Sequence, residues 1–575
     1  MPTKDRCISY PTKYSGLFLF GIWIFLLHWS YSLSFGRVFS DPKNAIFYLG
    51  CGIFAAYATL KKWSDSFIPI RLPFIFLFPY FLIAAFSTIF SPSGWYEGLL
   101  EIARLFLWCV FAWGLTQLDG KFLKGIFVVS ICSALVISML NLAGLYSLQI
   151  LPWPMMRDEI IPIGNVSYYG DLMIFHVPLC IYFIVANRKW RPVFIFASAA
   201  MLLGLWMSGT RASLVGIVAA IFFGSVLFVC GKIIRPKFII LALLVIVALM
   251  TAFSFSNIRN YRQEDDRFKN VILATSLGSI KKLSVERLSA YAETLKLIKK
   301  GPVVGWGLGS YRFIYPEYSS KVNVLIPISA SIWFYHPHNE ILNQAMEVGV
   351  FGCFLIVLLV VFVITKGTRE VLAKEDGDEK LLLAISLMGF IAAVVSVQFS
   401  TSYLNPLTRF YIAIFVAVIF KYANFKTIFS FSGRKIYRWA AIALVIMLTL
   451  FLSAYYFSLY EVGSSKNVNL SHEKLRKAEI AYFLAPRAFD PLFNYSRVLL
   501  QTGNIARAAS VTAALVDNYP YVPLALYLKA VSDLRNGNFV DAEKNLEHAL
   551  KNEPRFQEAR EMLSTLKDMS HPFVK

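Results

Sequence analysis

The sequence predicts an all-α, polytopic membrane protein of about 13 transmembrane helices, with a long external loop and a C-terminal helical-repeat domain. Composition, the spacing of apolar runs and an internal repeat predict this class. Hydrophobic residues make up 57% of the 575 residues and charged residues only 16%, and the mean hydropathy is +0.58. No soluble fold of this length is so apolar, but one smaller soluble domain can be accommodated.

The membrane spans are predicted from apolar runs long enough to cross a bilayer, about 17 to 25 residues each. The runs lie near residues 15–33, 44–60, 72–90, 98–116, 122–141, 168–186, 192–209, 212–230, 237–255, 345–365, 381–400, 406–420 and 439–458. Basic residues precede the first run, and no small-residue cleavage site follows it. We therefore expect an uncleaved signal anchor with a cytoplasmic N terminus.

The distribution of positive charge predicts the orientation. The net charge is +21, and most Lys and Arg fall in the short loops that this arrangement leaves on the cytoplasmic side. The short loops on the opposite side, with the adjoining helix ends, contain only Arg37, Lys43, Arg157, Arg211 and Arg409. By the positive-inside rule, the charge therefore reflects topology and not nucleic-acid binding.

The chain is predicted to have four parts. Residues 1–254 form spans one to nine, residues 255–337 an external loop, residues 338–458 the last four spans, and residues 465–570 a soluble domain. In the loop, Leu288, Tyr291, Leu295 and Ile298 recur at helical spacing, with Ser284 as the expected N-cap. The glycine-rich run that follows, 301–311, lacks a phosphate-loop lysine, so we expect tight turns with positive φ.

The soluble domain contains a repeat. Pro486, Pro520 and Pro554 are each separated by 34 residues, and Gly503 and Gly537 keep the same offset. This period, with Gly-Asn between helical runs, is the tetratricopeptide pattern. Such repeats bind a partner or pack on their own protein.

The stretch 333–349 contains the best candidates for chemistry. Pro337 favours a loop that turns into a helix. From Glu340, polar side chains recur at helical spacing as far as Glu347, and we expect them to face a cavity or other helices and not lipid. An ordinary capped helix start at the interface is the alternative.

His338 is the candidate general base, because an imidazole can accept a proton at neutral pH. Asn339 or Glu340 could orient it. His336 and His338 could bind a metal, but two histidines without a clear third ligand are weak evidence, and we expect no metal and no other cofactor. The histidines of the apolar spans, His28 and His176, are expected to be satisfied core residues.

Two arginines are candidate cations for a phosphate. Arg211 lies in a tight connection between two apolar spans, where a guanidinium can bind phosphate or snorkel to lipid headgroups. Arg287 opens the loop helix and, taken alone, is a solvated charge.

Together these features resemble the O-antigen ligase superfamily. The resemblance rests on the span number, Ser-Gly-Thr-Arg at 208–211, the Arg287 helix leading to the glycine-rich run with Tyr311, and His-Asn-Glu-Ile-Leu at 338–342. The superfamily includes O-antigen ligases, Wzy-type polymerases and bacterial protein O-oligosaccharyltransferases. The matching core runs from about residue 208 to residue 358.

The resemblance implies a glycan donor on undecaprenyl diphosphate, bound at the periplasmic face of the bacterial inner membrane without nucleotide or metal. By position, His338 would deprotonate the acceptor hydroxyl, whose oxygen attacks the anomeric carbon with inversion. Arg211 and Arg287 would hold the diphosphate, while His336, Asn339, Glu340 and Tyr311 would support the site. This role for the arginines suits a leaving group that gains negative charge.

The resemblance leaves the acceptor open. We expect an O-antigen ligase acting on lipid A-core, and the alternatives are transfer to Ser or Thr of a pilin or other periplasmic protein, and then a polymerase. The repeat domain favours a protein acceptor, since it could dock one. A non-catalytic transporter or scaffold is the alternative outside enzymes, although paired broken spans typical of transporters are missing from the pattern.

Overall fold

The structure, a computed structural model, describes residues 15–35, 37–62, 67–71, 73–145, 159–160, 162–233, 277–301, 303–318, 336–432 and 435–570. Every predicted span coincides largely with a helix, except the one at 237–255, which lies outside these residues. The membrane helices are α1 (Ser15–Trp29), α2 (Ser40–Lys62), α3 (Phe74–Ile89), α4 (Trp95–Thr116), α5 (Gly120–Leu145), α6 (Val166–Ala186), α7 (Arg191–Ser208) and α8 (Arg211–Cys230). After the loop they continue, as numbered below, with α12 (Gly349–Ala373), α13 (Asp378–Ser396), α14 (Pro406–Tyr422) and α15 (Lys435–Lys466).

The protein is an all-α multi-pass membrane protein. Among the described residues, seven helices are long and apolar enough to cross a membrane, namely α4, α5, α6, α8, α12, α13 and α15. Helices α6 and α13 are the most enclosed of these, with 78% of each apolar stretch buried. They form the centre of the bundle, because the other helices present one face to lipid.

In the part of the chain that the structure describes, two short antiparallel strand pairs accompany the helices. Strand β1 (Phe67–Arg71) pairs with β4 (Thr427–Ser432), and β2 (Glu159–Ile160) pairs with β3 (Gly164–Asn165). The first pair joins the loop after α2 to the loop after α14. Both lie outside the membrane helices, where a strand edge can be solvated.

Among the described residues between α8 and α12 there are three helices: α9 (Leu277–Lys300), α10 (Tyr311–Tyr318) and α11 (Glu340–Glu347). The expectation that Ser284 caps α9 is wrong, because the helix begins seven residues earlier, at Leu277. The predicted apolar face is also only partly right. Leu288 and Leu295 are exposed, whereas Ala290, Thr294 and Leu297 are buried.

Six further helices follow the last membrane helix. They are α16 (Ser471–Leu484), α17 (Phe489–Gln501), α18 (Ile505–Asn518), α19 (Pro523–Arg535), α20 (Phe539–Asn552) and α21 (Gln557–Ser570). Helices α17, α19 and α21 begin 34 residues apart, at Phe489, Pro523 and Gln557. The spacing agrees with the repeat, while the tetratricopeptide class and the boundaries 465–570 stay predictions.

The C-terminal helices lie on the side where α1 ends at Trp29 and α2 begins at Ser40, which we call the head side. Helix α15, 32 residues long, extends out of the bundle on this side and packs against α16. The amide of Asn467 donates a hydrogen bond to the Leu33 carbonyl (3.2 Å). No free linker therefore separates the bundle from the C-terminal helices.

Helix α10 connects the C-terminal helices to the membrane helices. Arg312 pairs with Glu97 of α4 (3.2 Å) and lies 4.0 Å from Asp490 of α17. Phe313, 2% exposed, inserts between Phe489 and Tyr519, with ring centroids 5.4 and 4.7 Å away. A loop side chain thus belongs to the hydrophobic core of the C-terminal helices.

Candidate active site

The N terminus of α11 is fastened to the C-terminal end of α13. Asn339 caps α11 by accepting the Leu342 N–H (2.9 Å), and its side-chain amide donates to the Gln398 carbonyl (3.2 Å). The Gln398 side chain in turn accepts the Ile341 N–H (3.2 Å). Asn339 therefore shapes the turn and does not orient an imidazole.

His338 lies in this turn with an unusual backbone conformation. Its φ is 58°, in the left-handed region that residues with a side chain rarely adopt. Its N–H donates to Nδ1 of His336 (2.9 Å), which is 2% exposed. The strained residue is thus held by a buried neighbour, whereas the His338 side chain is only partly buried.

The contacts of His336 assign its proton. Because Nδ1 accepts the His338 N–H, the ring proton lies on Nε2, which is 3.0 Å from Oε2 of Glu340. Both ring nitrogens are thereby occupied by the protein. His336 cannot offer a lone pair to a metal or a substrate in this arrangement, so of the two histidines only His338 is suited to accept a proton.

Hydrogen bonds continue from Glu340 into the membrane helices. Gln344 donates to Oε1 of Glu340 (2.8 Å) and accepts from the Tyr80 hydroxyl (2.7 Å). Asn343, Gln344 and Glu347 are all buried. The prediction that the polar stripe of α11 faces the interior is therefore confirmed.

The glycine-rich run wraps around the other end of α11. Gly305, Gly307 and Gly309 have φ of 78°, 107° and 71°, which confirms the predicted turns. The Gly307 N–H donates to the Glu347 carbonyl (2.9 Å). A Cβ on Gly305 would lie 2.4 Å from the backbone nitrogen of Gly349, so this close approach requires glycine.

Tyr311 follows the run and is buried. Its N–H points to Oε1 of Glu347 (3.5 Å), and its hydroxyl lies 3.2 Å from Oγ1 of Thr294. Tyr311 therefore joins α9, α10 and α11, and its supporting role in the site stays a prediction.

The two predicted arginines lie on helices that reach the same turn. Arg211 is exposed and is the first residue of α8. Two residues later, Ser213 donates a hydrogen bond to the Asp171 carboxylate (3.0 Å), which also accepts one from Ser396 (2.8 Å). Ser396 is the last residue of α13, next to the segment that contacts the N terminus of α11. Arg287 lies in α9 one turn before Tyr291, whose hydroxyl is 3.5 Å from the His338 carbonyl oxygen.

A large cavity opens beneath the His338 turn. Its volume is about 650 Å³, and it lies among α3, α4, α12, α13 and α14. Thr116 and Gln117 line one end of the cavity, and most side chains between them and Cys353, at the start of α12, are apolar. At the head side its lining becomes polar, with Glu340, Gln344, Gln398 and Tyr403.

Sequence reasoning missed a group of charged residues beside this polar end. Glu101 and Arg104 of α4 pair with each other, and Arg409 of α14 pairs with the same carboxylate (3.3 Å). In the prediction of membrane orientation, Arg409 was counted only as a basic residue at the external end of a span. Ionisable residues inside apolar runs at 98–116 and 406–420 were a signal that could have found the group.

The histidines of the membrane helices occupy internal positions. His28 contacts Oγ of Ser133 (2.7 Å) and the hydroxyl of Tyr411 (2.8 Å), as expected of a satisfied core residue. The His176 ring packs against Tyr411 (ring centroids 4.6 Å apart), and its Nδ1 lies 2.6 Å from the Leu172 carbonyl oxygen. Within the described residues its Nε2 has no hydrogen-bond partner. The expectation therefore holds fully for His28 and only in part for His176.

Comparison with known proteins adds an independent observation. Residues 196–357 match the model of the O-antigen ligase family, Wzy_C. A Rickettsia felis protein described as a polysaccharide ligase is 27% identical over 140 residues, which cover 24% of this chain and 31% of that protein. The matched family segment contains Arg211, Arg287 and His338.

Proposed function

Because this chain belongs to the O-antigen ligase superfamily, we propose that it transfers a glycan from undecaprenyl diphosphate to an acceptor hydroxyl. The head side is then the periplasmic side of the bacterial inner membrane, and the proposed acceptor is lipid A-core. The reaction class, a membrane ligase or polymerase, follows from the family. The donor, the acceptor and the residue roles are the proposal.

The cavity of about 650 Å³ is the observation that carries the proposal. Its apolar walls cross most of the bundle and suit a long polyprenyl chain, which is excluded from water. Its polar end lies below the His338 turn and suits the headgroup. A soluble nucleotide-sugar donor would have no use for so long an apolar cavity.

The proposed chemistry begins with His338. Its imidazole accepts the proton of the acceptor hydroxyl, and the oxygen forms a bond to the anomeric carbon from the face opposite the diphosphate. The bond from that carbon to the diphosphate oxygen breaks, and the lipid diphosphate leaves with the electron pair. Arg211 and Arg287 stabilise its growing negative charge, as preorganised cations do in a site with little water.

A protein acceptor is the second candidate. The C-terminal helices contact α10 through Phe489, Tyr519 and the end of α20, which leaves other surfaces accessible. Phe483 is 81% exposed and Val540 is 82% exposed. Exposed apolar side chains on soluble helices favour a protein-binding surface, so transfer to Ser or Thr of a periplasmic protein has a structural argument.

The test is an in vitro transfer assay with undecaprenyl-diphosphate glycan. Purified lipid A-core and a periplasmic or pilin protein serve as acceptors side by side, with wild type and His338→Ala. Loss of a general base lowers reaction rates by about 10²- to 10⁴-fold. We expect the transfer rate of His338→Ala to fall by this factor while the variant stays folded. His472→Ala, changed on a C-terminal helix away from the turn, serves as the matched control.

The assay has three informative outcomes. Product on one acceptor that disappears in His338→Ala supports a transferase and identifies the acceptor class. Donor units that lengthen without product on either acceptor indicate the polymerase. A wild-type protein that binds partners but makes no product in any arm contradicts the proposal.

A further inference from the structure

Two arginines from different membrane helices share one carboxylate at the polar end of the large cavity. Arg104 and Arg409 both pair with Glu101, the latter at 3.3 Å. Arg409 also donates to the Tyr48 hydroxyl (2.5 Å) and to the Tyr403 carbonyl (2.9 Å), and Arg104 donates to the Tyr456 hydroxyl (2.9 Å). The triplet therefore has two positive charges and one negative charge.

The triplet lines a small cavity, together with apolar side chains such as Leu105 and Leu308. The cavity has a volume of about 30 Å³, room for an ion or for one or two waters. Hydroxyl and amide groups of Tyr48, Tyr80, Tyr403 and Gln344 line it besides the charged residues. The Tyr80 hydroxyl already donates to Gln344, and the Tyr48 hydroxyl accepts from Arg409. The two guanidinium groups are therefore the part of the lining that attracts an anion.

The small cavity adjoins the large one. Tyr80, Gln344 and Tyr403 belong to the lining of both. Gln344 also bonds Glu340, which contacts His336. An anion at the triplet would thus lie between the apolar cavity and the hydrogen bonds that hold the His338 turn.

We propose that this small cavity binds the phosphate that directly follows an apolar chain, with Arg409 and Arg104 as its cationic partners. The ligand class is a polyprenyl-linked phosphate whose chain fills the large cavity. The inference rests on the proposed function and deepens it. Arg211 and Arg287 then serve the neighbouring phosphate, which bears the glycan.

Electrostatics favours this ligand. A net positive group removed from water is costly unless an anion compensates it, and phosphate accepts several charge-assisted hydrogen bonds from guanidinium groups. The adjoining apolar cavity favours an amphiphile over a free ion. A free phosphate shares the headgroup chemistry but gains nothing from the large cavity.

The experiment measures ligand-induced thermal stabilisation of the full-length chain in nanodiscs. The probes are undecaprenyl diphosphate, undecaprenol and inorganic pyrophosphate at equal concentration, tested on wild type, Arg409→Gln and Glu101→Gln. Arg438→Gln is the control, because Arg438 lies at the opposite end of the bundle on Trp439. We expect undecaprenyl diphosphate alone to stabilise wild type and the control.

We expect Arg409→Gln and Glu101→Gln to differ in their affinity for undecaprenyl diphosphate. Arg409→Gln removes a cation and should weaken the apparent affinity for undecaprenyl diphosphate by about tenfold or more, as expected for a lost charge-assisted bond. Glu101→Gln removes the competing carboxylate and should give stabilisation at least equal to that of wild type. A merely structural triplet predicts losses in both variants.

Several results would overturn the inference: wild type unaffected by undecaprenyl diphosphate, equal stabilisation by pyrophosphate, or Arg409→Gln stabilised as strongly as wild type. If Arg409→Gln does not fold, weaker stabilisation of Glu101→Gln overturns it. Binding that depends on Arg409 without any transfer by wild type refutes the proposed function but not the site. If Arg409→Gln transfers the glycan and binds the donor as wild type does, the site is refuted but the proposed function is not.

Discussion

His338 combines a left-handed backbone with a side chain that is only partly buried. The N–H of His338 is bonded to His336 Nδ1, so the direction of the His338 side chain depends on a neighbour that does not itself react. In the proposed mechanism His336 is a positioning residue. Its two ring nitrogens make different contacts: Nδ1 accepts the His338 N–H, and Nε2 lies next to the Glu340 carboxylate.

The substitutions His336→Asn and His336→Gln distinguish these two contacts. The side-chain oxygen of Asn can occupy the position of Nδ1, whereas the amide of Gln can replace Nε2. We expect His336→Gln to lower kcat by about tenfold, the cost of one buried hydrogen bond, with little change in donor KM. His336→Asn should retain more activity, and equal loss in both variants would contradict the assignment of the proton.

The contact of Glu317 with the C-terminal helices should depend on pH. Its carboxylate lies 3.2 Å from His548 Nε2 and accepts from Lys551 (2.6 Å). Burial raises the pKa of Glu317, but the hydrogen bonds and charges of Lys551 and His548 outweigh burial and hold the pKa below its ordinary value. A lowered folded-state pKa stabilises the fold above the unfolded-state pKa, and this stabilisation disappears as the pH falls through the folded-state pKa.

We therefore expect Glu317→Gln to lower the thermal unfolding temperature slightly at neutral pH. As the pH falls through the lowered folded-state pKa of Glu317, the unfolding temperatures of wild type and variant should converge. Scanning calorimetry over a series of falling pH values measures the difference. A gap that persists in acid would show that packing, and not charge, accounts for the contact.

At the scale of elements, α10 is the connection between the site and the C-terminal helices. One of its faces presents Arg312 and Phe313 to the C-terminal helices, while Tyr311 and Ile314 pack with Leu297 and Met346. A displacement of the C-terminal helices would therefore be transmitted to α9 and α11. The Arg287 helix and the His338 turn both depend on this packing.

Phe313→Ala tests the connection. Truncating a buried phenylalanine costs about 3–5 kcal/mol, so we expect a lower unfolding temperature and reduced transfer to any acceptor. Phe483→Ala is the control, because Phe483 is 81% exposed. Limited proteolysis between α15 and α16 would report the loosened domain, and a Phe313 variant with normal activity would refute the coupling.

The helices were predictable where burial in lipid imposes long apolar runs, as in α4, α8 and α12. The break between α11 and α12, at Val348 and Gly349, could not be predicted, because apolar residues continue through it. Only the close approach of the glycine-rich run to the backbone explains it. The start of α9 was missed because Ser284 was interpreted as the N-cap, whereas the helix continues through it from Leu277. Its buried face was partly wrong because helical spacing does not say which side a neighbour covers.

The His338 turn and the polar stripe of α11 were predictable since a histidine after a proline and polar residues at helical spacing are local signals. The Glu101, Arg104 and Arg409 triplet is different. Its members come from helices separated by about three hundred positions, and only the folded chain brings them together. Likewise, no local pattern shows that Phe313 fills a core formed by residues 475–531.

At the scale of the whole molecule, the exposed apolar side chains of the C-terminal helices separate the two acceptor classes. Val540, on α20, is 82% exposed and has no part in the contact with α10. We expect Val540→Asp to leave transfer to lipid A-core unchanged in the in vitro assay. Loss of transfer to a protein acceptor alone would favour the second candidate.

Helix α15 has a consequence for how an acceptor is presented. Its 32 residues span about 48 Å at 1.5 Å per residue, whereas the hydrocarbon core is about 30 Å thick. Part of the remaining length extends beyond the bilayer on the head side, where α16 packs against it. A partner bound to the C-terminal helices would be held at a set distance from the membrane. In the proposed reaction, its acceptor hydroxyl would therefore have to reach the His338 turn across that distance.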